Sequence, residues 1–345
     1  MCGILAGPFE TRARQDMAGA SFADDVLRLA WRRRGDAPGG MFMRYAGPTI
    51  FPRWSSCAHG PRGFAPLLLA LSFCLAACAA PSPAERKLEA EALAAEFGGG
   101  EALVIETSDF DLYARTRGTS APLLVVYIEG DGLAWTNRTT ASADPTPVDP
   151  VALKLALLDK HDAVAYLARP CQYTGRGDGS AGRNCRTTLW TSARYGEEVV
   201  AAMDEAVDRL MREAGAHEVA LVGFSGGGTV ASLIAARRGD VAWLKTVASP
   251  LDIAAFTRHH AVSPLAESLN PIDAAATLSR VPQVHYSGAE DEVVPAPVND
   301  AYMAALAPGG CASRVIVAGA GHREGWTAAW PAFGMEEPRC AAAAP

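Results

Sequence analysis

The stretch that most constrains this chain reads Val-Ala-Leu-Val-Gly-Phe-Ser-Gly-Gly-Gly-Thr-Val over residues 219–230. Residues 219–222 are a short apolar run, the mark of a buried strand. A small-residue, periodically apolar run continues to Ala236, the mark of a helix. Between them stands Gly223-Phe224-Ser225-Gly226-Gly227, a G-x-S-x-G pattern. In that setting the serine occupies a sharp strand-to-helix turn with its hydroxyl exposed. Glycines flank it because strand and helix pass too closely for side chains. A bare G-x-S-x-G carries little weight among 33 glycines. The strand before it and the helix after it make Ser225 a candidate nucleophile, against the alternative of a Gly-rich turn with a solvated serine.

The remaining pattern supplies a frame for such a turn. Residues 103–107 and 110–115 alternate as two strands, a hairpin around Ser108-Asp109. Residues 123–128 and 163–167 are continuous apolar runs, as strands buried on both faces are. Further short strands are expected at 244–248, 283–286 and 313–317, with helices at 85–97, 150–158 and 196–214. Apolar strands alternating with helices define an α/β chain, a mostly parallel central sheet with helices on both faces. About thirty residues separate the strands ending at Ala248 and beginning at Gln283. That leaves room for a small lid or none.

A serine hydroxyl needs a base, and the base needs an orienting carboxylate. Gly288-Ala289-Glu290-Asp291-Glu292-Val293-Val294-Pro295 follows one expected strand, at the sheet end where open α/β sheets place their sites. Asp291 is the candidate acid, with Glu290 and Glu292 as rivals and a solvated acidic loop as the alternative. Gly319-Ala320-Gly321-His322 follows the next strand, and its small residues leave the His322 imidazole free to reach Ser225. His161, His217 and His285 lie near element edges and suit structural roles, while His259 and His260 are placed to line a pocket. So are Trp190, Tyr195, Trp326 and Trp330, although single aromatics are more often core.

The order Ser225, Asp291, His322 resembles the α/β-hydrolase family over most of residues 100–335. Nearer still are bacterial exported hydrolases that carry a Tyr-Ile-Glu-Gly-Asp-Gly loop and an Arg-Pro-Cys-Gln-Tyr segment, here at residues 127–132 and 169–173. The resemblance implies the α/β-hydrolase fold and a triad of Ser225, Asp291 and His322. It implies an oxyanion hole from the backbone N–H groups of Gly226 and Asp131, in a loop where Glu129 replaces the usual histidine. It also implies a small-molecule ester or peptide substrate and neither cofactor nor metal. An ester-cleaving serine hydrolase is the leading expectation. A serine peptidase of the same fold and a non-catalytic, envelope-anchored binding lipoprotein are the alternatives.

Residues 64–77 are apolar and uncharged, preceded by Arg53 and Arg62 and ended by small residues, as in a secretory signal peptide. Leu75-Ala76-Ala77-Cys78 resembles the bacterial lipobox, which implies lipidation at Cys78, membrane attachment and a periplasm-facing, envelope location, with Ala79 pointing to the outer membrane. The expected organisation is therefore an over-called or disordered extension at 1–60, a signal peptide at 61–78, a tether with a short helix at 79–100, and the hydrolase domain at 101–345. Met1-Cys2-Gly3-Ile4 resembles the start of amidotransferases with an N-terminal cysteine, but only four residues match.

Export permits disulfides. Four of the eight cysteines lie beyond Cys78. Cys171 and Cys185 bracket a Gly-rich loop and are expected to pair, as are Cys311 and Cys340. Gly177-x-Gly179-x-x-Gly182 fits a dinucleotide fingerprint in letters only, since it lies in that loop and not between a strand and a helix. A net charge of −7 and the lack of a basic patch argue against a nucleic-acid partner.

Overall fold

Continuous apolar runs become the middle of one sheet. The computed structural model describes residues 81–96, 98, 100–175, 181–306 and 311–341. All of them fall in the second of the chain's two units, Ser72–Pro345. The expected extension, signal peptide and lipidated Cys78 lie outside the described residues.

The strands are β1 (Glu101–Glu106), β2 (Asp111–Arg117), β3 (Leu123–Ile128), β4 (Val164–Leu167), β5 (Glu218–Phe224), β6 (Val241–Val247), β7 (Gln283–Gly288) and β8 (Ala312–Val317). Their order across the sheet is β1-β2-β4-β3-β5-β6-β7-β8. β2 runs antiparallel to both β1 and β4, and every other pairing is parallel.

The two faces of the sheet bury separate cores. Leu124, Val126 and Ile128 of β3 point into one, and Val125 and Tyr127 into the other. Strands apolar on both faces have no polar side to alternate with, which is why β3 and β5 read as unbroken runs. The first core is covered by α3 (Glu197–Ala214) and α4 (Gly226–Ala235), the second by α2 (Val151–Leu158) with Trp326 and Trp330. α3 shows why its sequence is helical. Val199, Met203, Val207 and Leu210 recur on one buried face, Glu197 and Glu198 oppose the dipole in the first turn, and Gly215 ends it at φ 68°. α1 (Pro83–Glu96) precedes the sheet and anchors through buried Arg86, which bonds the Thr146 carbonyl and lies 3.7 Å from Asp144.

Most expected elements fall within a few residues of the observed ones. β6 starts at Val241 rather than 244, and β2 continues to Arg117. Between β6 and β7 lie only α5 (Ile253–His259), a 3₁₀ turn at Pro271–Ala274 and α6 (Ala275–Leu278), so the cap over the sheet's end is small. Among the described residues no helix is long and apolar enough to cross a membrane.

Cys171 pairs with Cys185 and Cys311 with Cys340. Cys171 sits two residues after Arg169 and one before Gln172, whose Nε2 donates to the Gly130 carbonyl at 2.8 Å. The first disulfide therefore braces the loop after β3. Replacing both Cys171 and Cys185 with Ser is expected to cost about 3 kcal/mol in urea denaturation, the loop-closure value for a bridge of this span. A change below about 1 kcal/mol would mean that the loop is ordered without the bridge.

Candidate active site

All four loops that matter leave the C-terminal ends of parallel strands β3, β5, β7 and β8. Ser225 follows β5 directly, at φ 50° and ψ −126°. An L-residue holds that backbone at a cost of about 1–3 kcal/mol, so the surroundings must impose it. They do so through the Ser225 N–H, which donates to the Val247 carbonyl at 2.8 Å, and through close packing of helix on strand. A Cβ on Gly223 would lie 2.3 Å from the Gly228 Cα, so only glycine permits the turn.

Ser225 Oγ lies 3.1 Å from His322 Nε2, and His322 Nδ1 lies 3.0 Å from Asp291 Oδ2. Asp291 is buried, and its other oxygen accepts from the Val293 and Val294 amides, both at 2.8 Å. Burial works to raise the Asp291 pKa. The His322 bond and charge and the two amides outweigh it, holding the carboxyl below its ordinary value. Glu290 and Glu292 are exposed, and of the three carboxylates it is Asp291 that meets the imidazole. The His322 turn is fixed from below by buried Trp326, whose Nε1 donates to the Gly321 carbonyl at 3.0 Å and the His322 carbonyl at 3.1 Å. Phe224 packs on the imidazole, ring centres 5.5 Å apart.

The loop after β3 brings Asp131 against the turn. A Cβ on Gly226 would fall 2.0 Å from Asp131 Oδ1, so the carboxylate lies directly over the residue after the serine. Among the described residues neither the Gly226 nor the Asp131 amide meets a protein acceptor, whereas the Gly130 amide donates to Glu129 Oε1 at 2.8 Å. The Asp131 side chain is itself engaged. Arg194 Nη1 donates to Oδ2 at 2.8 Å, Tyr195 OH to Oδ2 at 3.0 Å, and Arg169 Nη1 to Oδ1 at 3.3 Å. Burial opposes ionisation of Asp131, but the two guanidinium charges prevail and keep its pKa below the usual carboxylate range.

Glu129 is buried and faces away from solvent. Oε2 accepts from Tyr166 OH at 3.2 Å, while Oε1 also takes the Ala152 amide of α2 at 3.5 Å, so the side chain ties the loop to β4 and to α2. Burial pushes its pKa from 4.5 up to about 7, against the pull of the Gly130 and Ala152 amides. In the unfolded chain the proton leaves near 4.5, and in the folded chain only near 7. The folded state therefore binds more protons across that window, and its stability falls as pH rises through it, by roughly 3 kcal/mol in all. Glu129→Gln does not titrate. Its melting temperature is expected to gain on the parent's from about pH 4.5 to about pH 7 and to hold its lead above. A difference independent of pH would mean that Glu129 titrates alike in the folded and unfolded chains.

Ser225, His322, Asp131 and Arg194 border an open pocket of about 480 Å³, whose apolar walls include Leu133, Trp135, Val148 and Phe256. Of the expected pocket aromatics only Tyr195 lines it. Trp190, Trp326 and Trp330 are core residues. His259 and His260 do not line it, and His260 Nε2 instead lies 2.7 Å from the Val293 carbonyl. His285 is buried between Thr246 and Gln283, where desolvation pushes its pKa down to about 3 and keeps it neutral. Trp135 and Arg194 are pocket residues that the sequence pattern did not single out. Among the described residues no group of three or more side chains is placed to hold a metal ion.

The strand order, the sharp turn after β5 and the loops after β3, β7 and β8 define an α/β-hydrolase fold with serine, histidine and aspartate brought together at one end of the sheet. The chain is similar to an alpha-beta serine hydrolase homologue from Coxiella burnetii, with 17% identity and a TM-score of 0.44, over 65% of this chain and 89% of that one. It is similar to Est1E from Butyrivibrio proteoclasticus with ferulic acid bound, with 15% identity and a TM-score of 0.49, over 68% and 99% of the two chains. It also resembles an acylaminoacyl peptidase from Pyrococcus horikoshii, with 12% identity and a TM-score of 0.47, over 64% of this chain and 37% of that one. No protein-family model matches the sequence, and no curated protein matches it significantly.

Proposed function

We propose that this protein is a serine hydrolase that cleaves an ester or related acyl bond through an acyl-enzyme. The observation that carries the proposal is the continuous contact from Ser225 Oγ through His322 to buried Asp291 at the edge of an open pocket. With its proton on Nδ1 and donated to Asp291, the His322 imidazole presents Nε2 as acceptor to the serine hydroxyl. Ser225 Oγ attacks the substrate carbonyl as His322 takes its proton. The carbonyl oxygen becomes an oxyanion facing the Gly226 and Asp131 amides, and one such donor contributes about 3 kcal/mol of transition-state stabilisation. His322 then gives its proton to the leaving group. A water, deprotonated by the same imidazole, releases the acyl group and restores Ser225.

The test is labelling of the full chain with a fluorophosphonate, followed by peptide mapping. Label confined to Ser225 and absent from Ser225→Ala supports the proposal. A folded protein that takes no label at Ser225 counts against it and favours a binding role.

We propose further that the protein is held at the bacterial envelope by a lipid on Cys78. The support lies in the sequence alone, in the short apolar run at 64–77 and the Leu75-Ala76-Ala77-Cys78 ending. Cells fed an alkyne fatty acid should label the protein, and Cys78→Ser should not be labelled. Equal labelling of both would dismiss the anchor.

A further inference from the structure

Catalysis as described uses the Asp131 amide but gives no role to the charges around its side chain. Two guanidiniums share that one carboxylate, and arginine stays protonated in proteins. The cluster of Asp131, Arg169 and Arg194 therefore holds one positive charge more than it neutralises. Arg169 is 4% exposed, and its contacts turn inward: Nη1 to Asp131, Nη2 to the Arg194 carbonyl, and Nε sealed without a partner. Both guanidiniums also stand over the Tyr195 ring, at 5.5 and 5.9 Å.

Arg194 differs, because it lines the pocket. Its Nε donates to the Thr191 carbonyl at 2.8 Å and its Nη1 to Asp131 at 2.8 Å. Its guanidinium also meets the Tyr195 hydroxyl, and the side chain keeps 12% of its surface exposed where it borders the pocket. Of the other charged groups at the pocket, Asp149 pairs with Lys154 at 2.5 Å, Glu129 holds the Gly130 amide and Tyr166, and Arg323 and Glu324 are exposed neighbours of opposite sign. A buried excess charge is costly unless something offsets it.

Resting on Ser225 as the nucleophile, we propose that Arg194 is an anion anchor in the substrate pocket and that the preferred substrate is an ester carrying a free carboxylate. One carboxylate matches the excess of one charge. A phosphate dianion would overshoot it beside Asp131. Leu133, Trp135, Val148 and Phe256 supply apolar contact for the chain that links the carboxylate to the scissile bond.

Two matched pairs of esters test this with the full chain. Mono-para-nitrophenyl adipate is compared with para-nitrophenyl hexanoate, which places the carboxylate on the acyl side. Para-acetoxybenzoate is compared with phenyl acetate, which places it on the leaving group. In one pair kcat/KM should favour the anion about 10- to 100-fold, the worth of one charged hydrogen bond. Arg194→Gln should bring that ratio close to one, and Arg194→Lys should keep part of it. A ratio that favours the neutral ester in both pairs, or one that Arg194→Gln leaves unchanged while both rates fall together, overturns the anchor. The latter is what a purely structural arginine would give. Calorimetry of monomethyl adipate, an ester with one carboxylate, with Ser225→Ala reads the same site without turnover. Binding that Arg194→Gln abolishes supports the proposal, and no binding overturns it. Failure of the nucleophile assignment would appear separately, as absent fluorophosphonate label on Ser225.

Discussion

Ser225→Ala and His322→Ala are each expected to lower kcat for ester hydrolysis by about 10⁵–10⁶-fold, and Asp291→Asn by about 10⁴-fold. The three side chains act as a unit, so the double variant of Ser225 and His322 should be no slower than either single one. The unequal sizes follow from what each group touches. Without Ser225 there is no atom to acylate, and without His322, whose Nε2 lies 3.1 Å from Oγ, nothing takes the serine proton. Asp291 touches only the imidazole, at 3.0 Å, and asparagine there can turn its amide toward Nδ1 and stabilise the wrong tautomer. Because Asp291 also holds the Val293 and Val294 amides through Oδ1, Asp291→Asn retains an acceptor for them and should keep the fold. KM should change little in all three. Activity in Ser225→Ala above a tenth of the parent's would remove Ser225 from the mechanism.

The sequence carried these three positions because each is announced by local structure. Ser225 is bracketed by glycines that the crossing of β5 and α4 demands, and Asp291 and His322 each follow an apolar run by a few residues. The strands were equally legible, since burial on both faces leaves unbroken Val, Leu, Ile and Ala. Their order was not, because nothing in residues 163–167 says that β4 will pair outside β3, between it and β2. The partners of Asp131 were also hidden. Arg169, Arg194 and Tyr195 stand 38, 63 and 64 residues away in the chain and meet it only through the fold. The Arg-Pro-Cys-Gln-Tyr segment hinted at something fixed near Arg169, and the disulfide at Cys171 is part of the reason. Trp326 and Trp330 misled for a physical cause. Large aromatics near a loop of the site look like pocket walls, but both are buried: Trp326 holds the Gly321 and His322 carbonyls, and Trp330 packs against Tyr127, Tyr286 and Phe333.

Asp131→Ala is expected to destabilise the protein by about 3–5 kcal/mol, more than any other single change around the pocket that leaves the triad intact. The variant removes one carboxylate and strands two guanidiniums, of which Arg169 is almost wholly buried and already carries one unpartnered nitrogen. Water cannot replace the lost charge at Arg169, and the two cations are left together at the Tyr195 ring. The measurement is the urea midpoint and slope of the parent, Asp131→Ala, Arg169→Met and the double variant. If the cost comes from stranded charge, removing Arg169 as well should recover a large part of it, because one cation open to the pocket is tolerable where two are not. Asp131→Asn should fall between parent and alanine, since its amide oxygen still accepts a hydrogen bond while the charge is gone. The Asp131→Ala protein that folds should also hydrolyse esters more slowly if the Gly226 and Asp131 amides hold the oxyanion as proposed, because the Asp131 carboxylate packs over Gly226. A cost below about 1 kcal/mol would mean that solvent already neutralises the cluster, and then neither the anchor at Arg194 nor the loop geometry could owe anything to buried charge.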